Sequence, residues 1–213
     1  WLPVNNGMIG QMAYMMSNLR VSPAYAQDGT LFVAANRMTG IGGLLYKSTD
    51  RGATWRLMAS SAGVGPLILS PAYGADQTAF TVDYARVTKS TDGGATWAIV
   101  PFWEGYTHSA RQLAISPAFA TDQSVYAAGS DLYYSHDGGA TWNVSTSGPH
   151  LNSNSTEWWN ANQLVAGPSG RLYLAIYRYD STPPYTRHDQ LWTSGDRGVT
   201  WQQLTGYPGL LIH

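Results

Sequence analysis

The chain has 213 residues and sets 12 Lys+Arg against 13 Asp+Glu, so it lacks the basic excess with which nucleic-acid binders neutralise phosphate. It has no cysteine, which removes disulfides, thiolate nucleophiles and Cys-based zinc sites, and no apolar run approaches the ~20 residues that span a bilayer. Only 12% of residues are charged, while 23 Gly, 14 Tyr and 9 Trp favour β-structure joined by polar, uncharged turns.

In chain order, the elements repeat. After an opening "WLPVNNG", an apolar run leads to "SPAYAQDGTLF" from Ser22, a third apolar run, and "KSTDRGATW" from Lys47 to Trp55. The series recurs as "SPAYGADQTAF" from Ser70 with "KSTDGGATW" (Lys89 to Trp97), and as "SPAFATDQSVY" from Ser116 with "SHDGGATW" (Ser135 to Trp142). A fourth round is shortened to "GPSGRLY" (Gly167 to Tyr173) with "SGDRGVTW" (Ser194 to Trp201). The octapeptide aspartates Asp50, Asp92, Asp137 and Asp196 stand 42, 45 and 59 residues apart. Four short strands per repeat, such as "ARQLAIS", "SVYAAGS", "DLYYSHD" and "ATWNVST", are the signature of a propeller blade. The nearly all-apolar second strands suit sheets covered on both faces. The fold class is therefore all-β, a β-propeller of four-stranded antiparallel blades.

Within the octapeptide, the Asp can accept hydrogen bonds from backbone N–H groups of its own turn. The Gly-Gly or Arg-Gly pair supplies positive φ where the hairpin reverses, Thr starts the returning strand, and Trp packs beneath. Each group has a structural task inside one hairpin. Carboxylates repeated on separate hairpins could not act on one bond, so the motif is read as a fastener built on Asp50/Trp55, Asp92/Trp97, Asp137/Trp142 and Asp196/Trp201.

The string S-x-D-x-G-x-T-W resembles the Asp-box (BNR) repeat of β-propellers, which occurs in sialidases, xyloglucan-cleaving glycoside hydrolases, sortilin-type receptors and many non-enzymatic bacterial propellers. The "SPAFxxDQSVY" strings look like those of secreted bacterial BNR-like proteins, which implies an extracellular or cell-surface location. The resemblance implies that the boxes sit on the rim, away from any ligand, and is almost silent on activity.

One propeller segment over 1–213 is expected, with repeats near 1–54, 55–96, 97–141 and 142–200, and 201–213 starting the next. Trp1 reads as the end of a box, and "YPGLLIH" as the start of a first strand, so the segment is expected to belong to a propeller of six to eight blades. A four-blade ring, or closure by a second copy, is the alternative; an open array exposes strand edges that can pair with other chains.

Ligands are expected on the face opposite the boxes, where loops are uneven. The linkers "VPFWEGYTHSAR" (Val100 to Arg111) and "STSGPHLNSNSTEWWNANQ" (Ser145 to Gln163), with the fourth-blade loop "YRYDSTPPYTRHDQ" (Tyr177 to Gln190), hold Trp103, Tyr106, Trp158, Trp159, Tyr179 and Tyr185. Exposed aromatics beside Asn, Glu and Arg form a platform for sugar rings or a partner's side chains; the competing reading is that they pack their own loops. Of the 11 Asp, seven are claimed by turns: the four box residues with Asp28, Asp76 and Asp122. That leaves Asp83, Glu104, Asp131, Glu157, Asp180 and Asp189 near the loop face, with Asp83 and Asp131 as the pair an acid–base glycosidase would need. No Phe-Arg-Ile-Pro string is present, so sialidase activity is not supported. No G-x-S-x-G, HExxH or P-loop motif occurs, and the five histidines show no ligand spacing. No metal or other cofactor is expected. Asn143 and Asn154 match the glycosylation sequon. The expected role is non-catalytic binding of carbohydrate or protein, or structural assembly, with a glycoside hydrolase as the alternative.

Overall fold

A computed structural model describes residues 6–8, 14–37, 43–61, 65–83, 86–101, 110–149, 151, 157–180 and 182–205. The described residues form four antiparallel sheets of four strands, each in sequential order. The first contains β1 (Tyr14–Val21), β2 (Leu31–Arg37), β3 (Gly43–Ser48) and β4 (Arg56–Ser61), with a short helical turn α1 (Tyr25–Asp28) after β1. The second has β5 (Leu67–Leu69), α2 (Tyr73–Asp76), β6 (Ala79–Asp83), β7 (Arg86–Ser90) and β8 (Ala98–Ile99). The third has β9 (Ala110–Ile115), α3 (Phe119–Asp122), β10 (Val125–Gly129), β11 (Leu132–Ser135) and β12 (Asn143–Val144). The fourth has β13 (Glu157–Ala166), β14 (Leu172–Asp180), β15 (Arg187–Ser194) and β16 (Gln202–Gln203). The all-β, four-stranded-blade reading of the sequence is borne out.

Two details differ from expectation. The Ser-Pro strings close as single helical turns, each entered through an alanine at φ near −99° and left through a residue at positive φ. The box Thr does not open the returning strand: β4, β8, β12 and β16 each begin two residues later, because the threonine is spent on the aspartate.

The core lies between sheets. Phe32, Ala34 and Leu45 of the first sheet meet Leu67, Tyr73 and Ala79 of the second. Phe80, Val82 and Val87 of the second meet Leu113, Phe119 and Ala127 of the third. Tyr126, Ala128 and Leu132 of the third meet Leu164, Leu172 and Leu174 of the fourth. Strand alternation explains this: successive residues point to opposite faces, so one sheet covered on both sides must be apolar at nearly every position. β1, β5, β9 and β13 run innermost, where portions of all four line an open cavity of about 520 Å³. Sheet contacts run in series, β1 with β5, β5 with β9, and β9 with β13; among the described elements no comparable contact joins the first sheet to the fourth.

Candidate functional site

At one end of the sheets stand the Asp-box turns. In the first, Ser48 Oγ donates to Asp50 Oδ1 at 2.7 Å and accepts from the Gly52 N–H at 2.9 Å. Asp50 in turn accepts from the Thr54 N–H at 2.9 Å and the Thr54 hydroxyl at 2.5 Å. Asp92, Asp137 and Asp196 hold the same partners at matching positions. The Thr54 and Thr96 hydroxyls, then their N–H groups, pull Asp50 and Asp92 down to about 2. For Asp137 desolvation pushes upward, but the Thr141 and Ser135 bonds outweigh it and the carboxyl again falls to about 2. A carboxylate that accepts three donors of its own turn and is held far below neutral pH is poorly matched to general acid–base work.

The boxes also reach beyond their hairpins, contrary to the expectation that each works within one turn. Lys47 Nζ of the first sheet donates to the Gly93 carbonyl in the second box at 2.9 Å, and Lys89 repeats this on Gly138 of the third at 2.8 Å. Tyr73 Oη donates to the same Gly93 carbonyl at 3.2 Å. Phe32 stands edge-on to Tyr73 at 5.9 Å, as Phe80 does to Phe119 at 5.8 Å. At the third-to-fourth junction Tyr134 replaces the lysine, and His136 Nε2 bonds the Arg197 carbonyl at 3.0 Å instead. At the first two junctions the octapeptide and Ser-Pro string together clamp a sheet to the one before it; at the third, where the string is shortened, Ser145 Oγ also donates to the Gly198 carbonyl at 2.5 Å.

At the opposite end the fourth sheet extends into a three-stranded ribbon. Trp158, Trp159 and Asn160 pair with Tyr179, Arg178 and Tyr177, which pair in turn with Arg187, His188 and Asp189. Trp158 and Trp159 thus lie in β13, not in the expected inter-blade loop, and most of the expected Tyr177–Gln190 loop is strand. Ladder hydrogen bonding prevails because "RLYLAIYRYD" and "RHDQLWTS" keep period-two alternation past the point where polarity rises.

One ribbon face continues from the core through Ile176 to Arg178, which lies over the Trp159 ring at 5.7 Å. On this face Asp180 accepts from Arg178 at 3.1 Å and contacts His188 Nε2 at 3.0 Å. The His188 bond leads the causes holding the Asp180 carboxyl below its usual range. The other face carries Tyr177 and Tyr179, edge-on at 5.7 Å, with Arg187 over Tyr177 at 4.7 Å and paired to Asp189 at 2.7 Å. Tyr185 is exposed in the turn that closes the ribbon.

Of the other expected site residues, Trp103 and Tyr106 lie outside the described residues. Asp83 ends β6, paired with Arg86. Asp131 begins the turn into β11, where its carboxylate accepts from the Tyr133 hydroxyl at 3.4 Å. The two aspartates sit on neighbouring hairpins but at non-equivalent positions, since Ala79↔Ser90 and Val125↔Ser135 align Asp83 with Gly129. Arg178, Arg187, His188 and Tyr177 were not singled out from sequence; their alternation with aromatics inside two strands was the available signal. Among the described residues no cluster of His, Asp and Glu has metal-binding geometry, and no helix is long and apolar enough to cross a membrane.

A BNR/Asp-box repeat family model matches residues 133–144. No curated protein sequence matches significantly. Among solved structures, the GH74 xyloglucanase from Xanthomonas campestris superposes with a TM-score of 0.62 at 20% identity, covering 89% of this chain and 30% of that one. A protein of unknown function from Dyadobacter fermentans gives 0.58 at 15% identity, covering 95% and 73%. A nidogen/laminin complex gives 0.55 at 11% identity, covering 85% and 72%. The chain therefore spans less than a third of the xyloglucanase it resembles. It carries BNR/Asp-box repeats on a propeller-type array of blades.

Proposed function

We propose that the chain is a secreted or surface-exposed, non-catalytic binding module whose ligand lies across the ribbon of the fourth sheet. The observation that carries this reading is the Trp159 ring set among charges already matched in pairs, with Tyr177 and Tyr179 on the reverse face of the same ribbon. Arg178 and His188 share Asp180, and Arg187 holds Asp189. Aromatic faces beside fixed, mutually neutralised polar groups favour an uncharged, hydroxyl-rich ligand such as a neutral polysaccharide, with the rings stacking and the planar Arg–Asp pairs bonding hydroxyls. A protein segment rich in aromatic and amide groups fits the same chemistry.

Calorimetric titration with neutral glycans, xyloglucan oligosaccharides among them, tests it. Binding should fall at least tenfold in Trp159→Ala and in a Trp158→Ala/Trp159→Ala variant; equal affinity in all three proteins rejects the ribbon as the site. The hydrolase reading rests on Asp83 and Asp131 occupying adjacent hairpins. Reducing-sugar release from the same glycans, abolished by Asp131→Asn, would replace binding with catalysis.

A further inference from the structure

The inner cavity departs from the repeat in two ways. Counting back from the Ser-Pro serines and their counterpart Gly167, the innermost strands place Arg20, Ile68, Ala114 and Val165 at one position. The last three are aliphatic, and Ile68 and Ala114 join the apolar contacts with the following sheet. Arg20 puts a cation there instead. Its Nε–H donates to the Leu67 carbonyl of the second sheet at 2.6 Å, and Nη1 to the Leu19 carbonyl at 3.1 Å. Two backbone carbonyls thus fix the guanidinium plane, and the fork keeps further N–H groups, the Nη2 pair among them, for another acceptor.

The second departure is in the pairing. β1 is irregular between Ser17 and Arg20, the β9 ladder skips Arg111, and the β13 ladder skips Asn162. A bulge breaks strict alternation and re-aims side chains. Asn162 and its neighbour Gln163 are both exposed, and both line the cavity together with Gln112 of β9. Among the described residues none of these three amides has a hydrogen-bond partner. Ile68, Ile115 and Val165 contribute apolar wall between them. Arg20 is the one ionised side chain in the lining, which contains no Asp or Glu. The volume of about 520 Å³ falls within the ~300–1,000 Å³ of small-molecule sites.

We propose that the inner cavity binds a small organic carboxylate, its charge on Arg20, its other polar atoms bonded by Gln112, Asn162 and Gln163, and its apolar body against Ile68, Ile115 and Val165. A guanidinium already held in one plane matches the two oxygens of a carboxylate and loses little freedom on binding it. A wall without carboxylates does not repel an anion, whereas a neutral ligand would leave the arginine charge unmatched. If Arg20 served only to tie the first sheet to the second, as Lys47 does, the cavity would not tell an anion from its neutral analogue. The site is formed by inner-strand residues and is independent of the ribbon's ligand.

Fluorine-detected NMR titration of the 213-residue chain with para-fluorobenzoate and its neutral analogue para-fluorobenzamide tests it. The expected result is saturable binding of the benzoate, at least ~10-fold tighter than that of the amide. Arg20→Gln should abolish the preference. Val165→Phe, which fills the cavity from its exposed wall, should weaken the benzoate at least ~10-fold, and Trp159→Ala on the ribbon should bind as the parent does. Far-UV circular dichroism checks that each variant is folded. Should Arg20→Gln fold poorly for want of its bond to Leu67, the benzoate-to-amide ratio of the parent and the Val165→Phe titration decide. Absence of saturable binding, equal affinity for the two compounds, benzoate binding unchanged in folded Arg20→Gln or in Val165→Phe, or its loss in Trp159→Ala would each overturn the proposal.

Discussion

Replacing Gly139 with alanine tests whether the second box glycine is a turn residue or part of the joint between sheets. Gly139 has φ +89°, and a Cβ added there would lie 3.1 Å from Phe80 Cε1 and 3.8 Å from Val100 Cγ1, both on the preceding sheet. Phe80 is wholly buried and pinned edge-on by Phe119, so the ring cannot swing away. Left-handed backbone costs an L-residue roughly 1–2 kcal/mol, and overpacking a well-filled site adds about 1–3 kcal/mol. Gly139→Ala should therefore lose about 2–5 kcal/mol. Gly170 provides the internal control: its φ is +80°, but nothing lies within 4 Å of the added Cβ, so Gly170→Ala should lose only the backbone part, about 1–2 kcal/mol. Urea unfolding followed by tryptophan fluorescence and by far-UV circular dichroism measures both, provided the two probes give coincident transitions. Phe80→Leu combined with Gly139→Ala should cost less than the sum of the single changes, because the two sites touch. Equal losses at Gly139 and Gly170, or strict additivity with Phe80→Leu, would refute an inter-sheet role.

Acid should loosen the boxes late: Asp50, Asp92 and Asp137 are depressed to about 2, so their stabilisation is complete above the ordinary carboxylate range and disappears as pH falls through about 2. An Asp92→Asn variant should accordingly be less stable than the parent at neutral pH and converge with it near pH 2 in thermal melts. Lys89→Met leaves the Gly138 carbonyl without its ammonium donor and should cost about 1–3 kcal/mol in the same urea assay, whereas Tyr134→Met, at the equivalent place in the third sheet, removes no such bond. Asp180→Asn takes the charge from the group shared by Arg178 and His188 and, because the cluster is partly exposed, should leave the melting temperature within a few degrees of the parent.

Architecture was largely legible because the repeat writes it four times. Alternating apolar residues, the Ser-Pro strings and the Asp boxes fix strand count, order and hairpin positions. What sequence concealed was reach between repeats: nothing in "KSTDGGATW" announces that its lysine serves the next turn, since that contact depends on the angle between sheets. The ribbon was hidden for a different reason. Polar and charged residues from Arg178 to Gln190 resemble a loop by composition, but the ladder continues because both strands preserve their alternation and have partners to bond. Aromatic platform residues could be listed from sequence; their interleaving with paired charges could not.

The clamp's offset between sheets has a bearing on how such chains grow. Since each lysine fastening joins the third strand of one sheet to the turn of the following one, a block duplicated by unequal crossing-over brings along one whole joint wherever the breakpoints fall, so long as its length is a full period. Duplication of a lysine-clamped block reproduces the same donor and carbonyl at the new joint. An array fastened this way can gain whole periods without new chemistry, whereas a partial period would part a lysine or an aromatic from the turn it contacts.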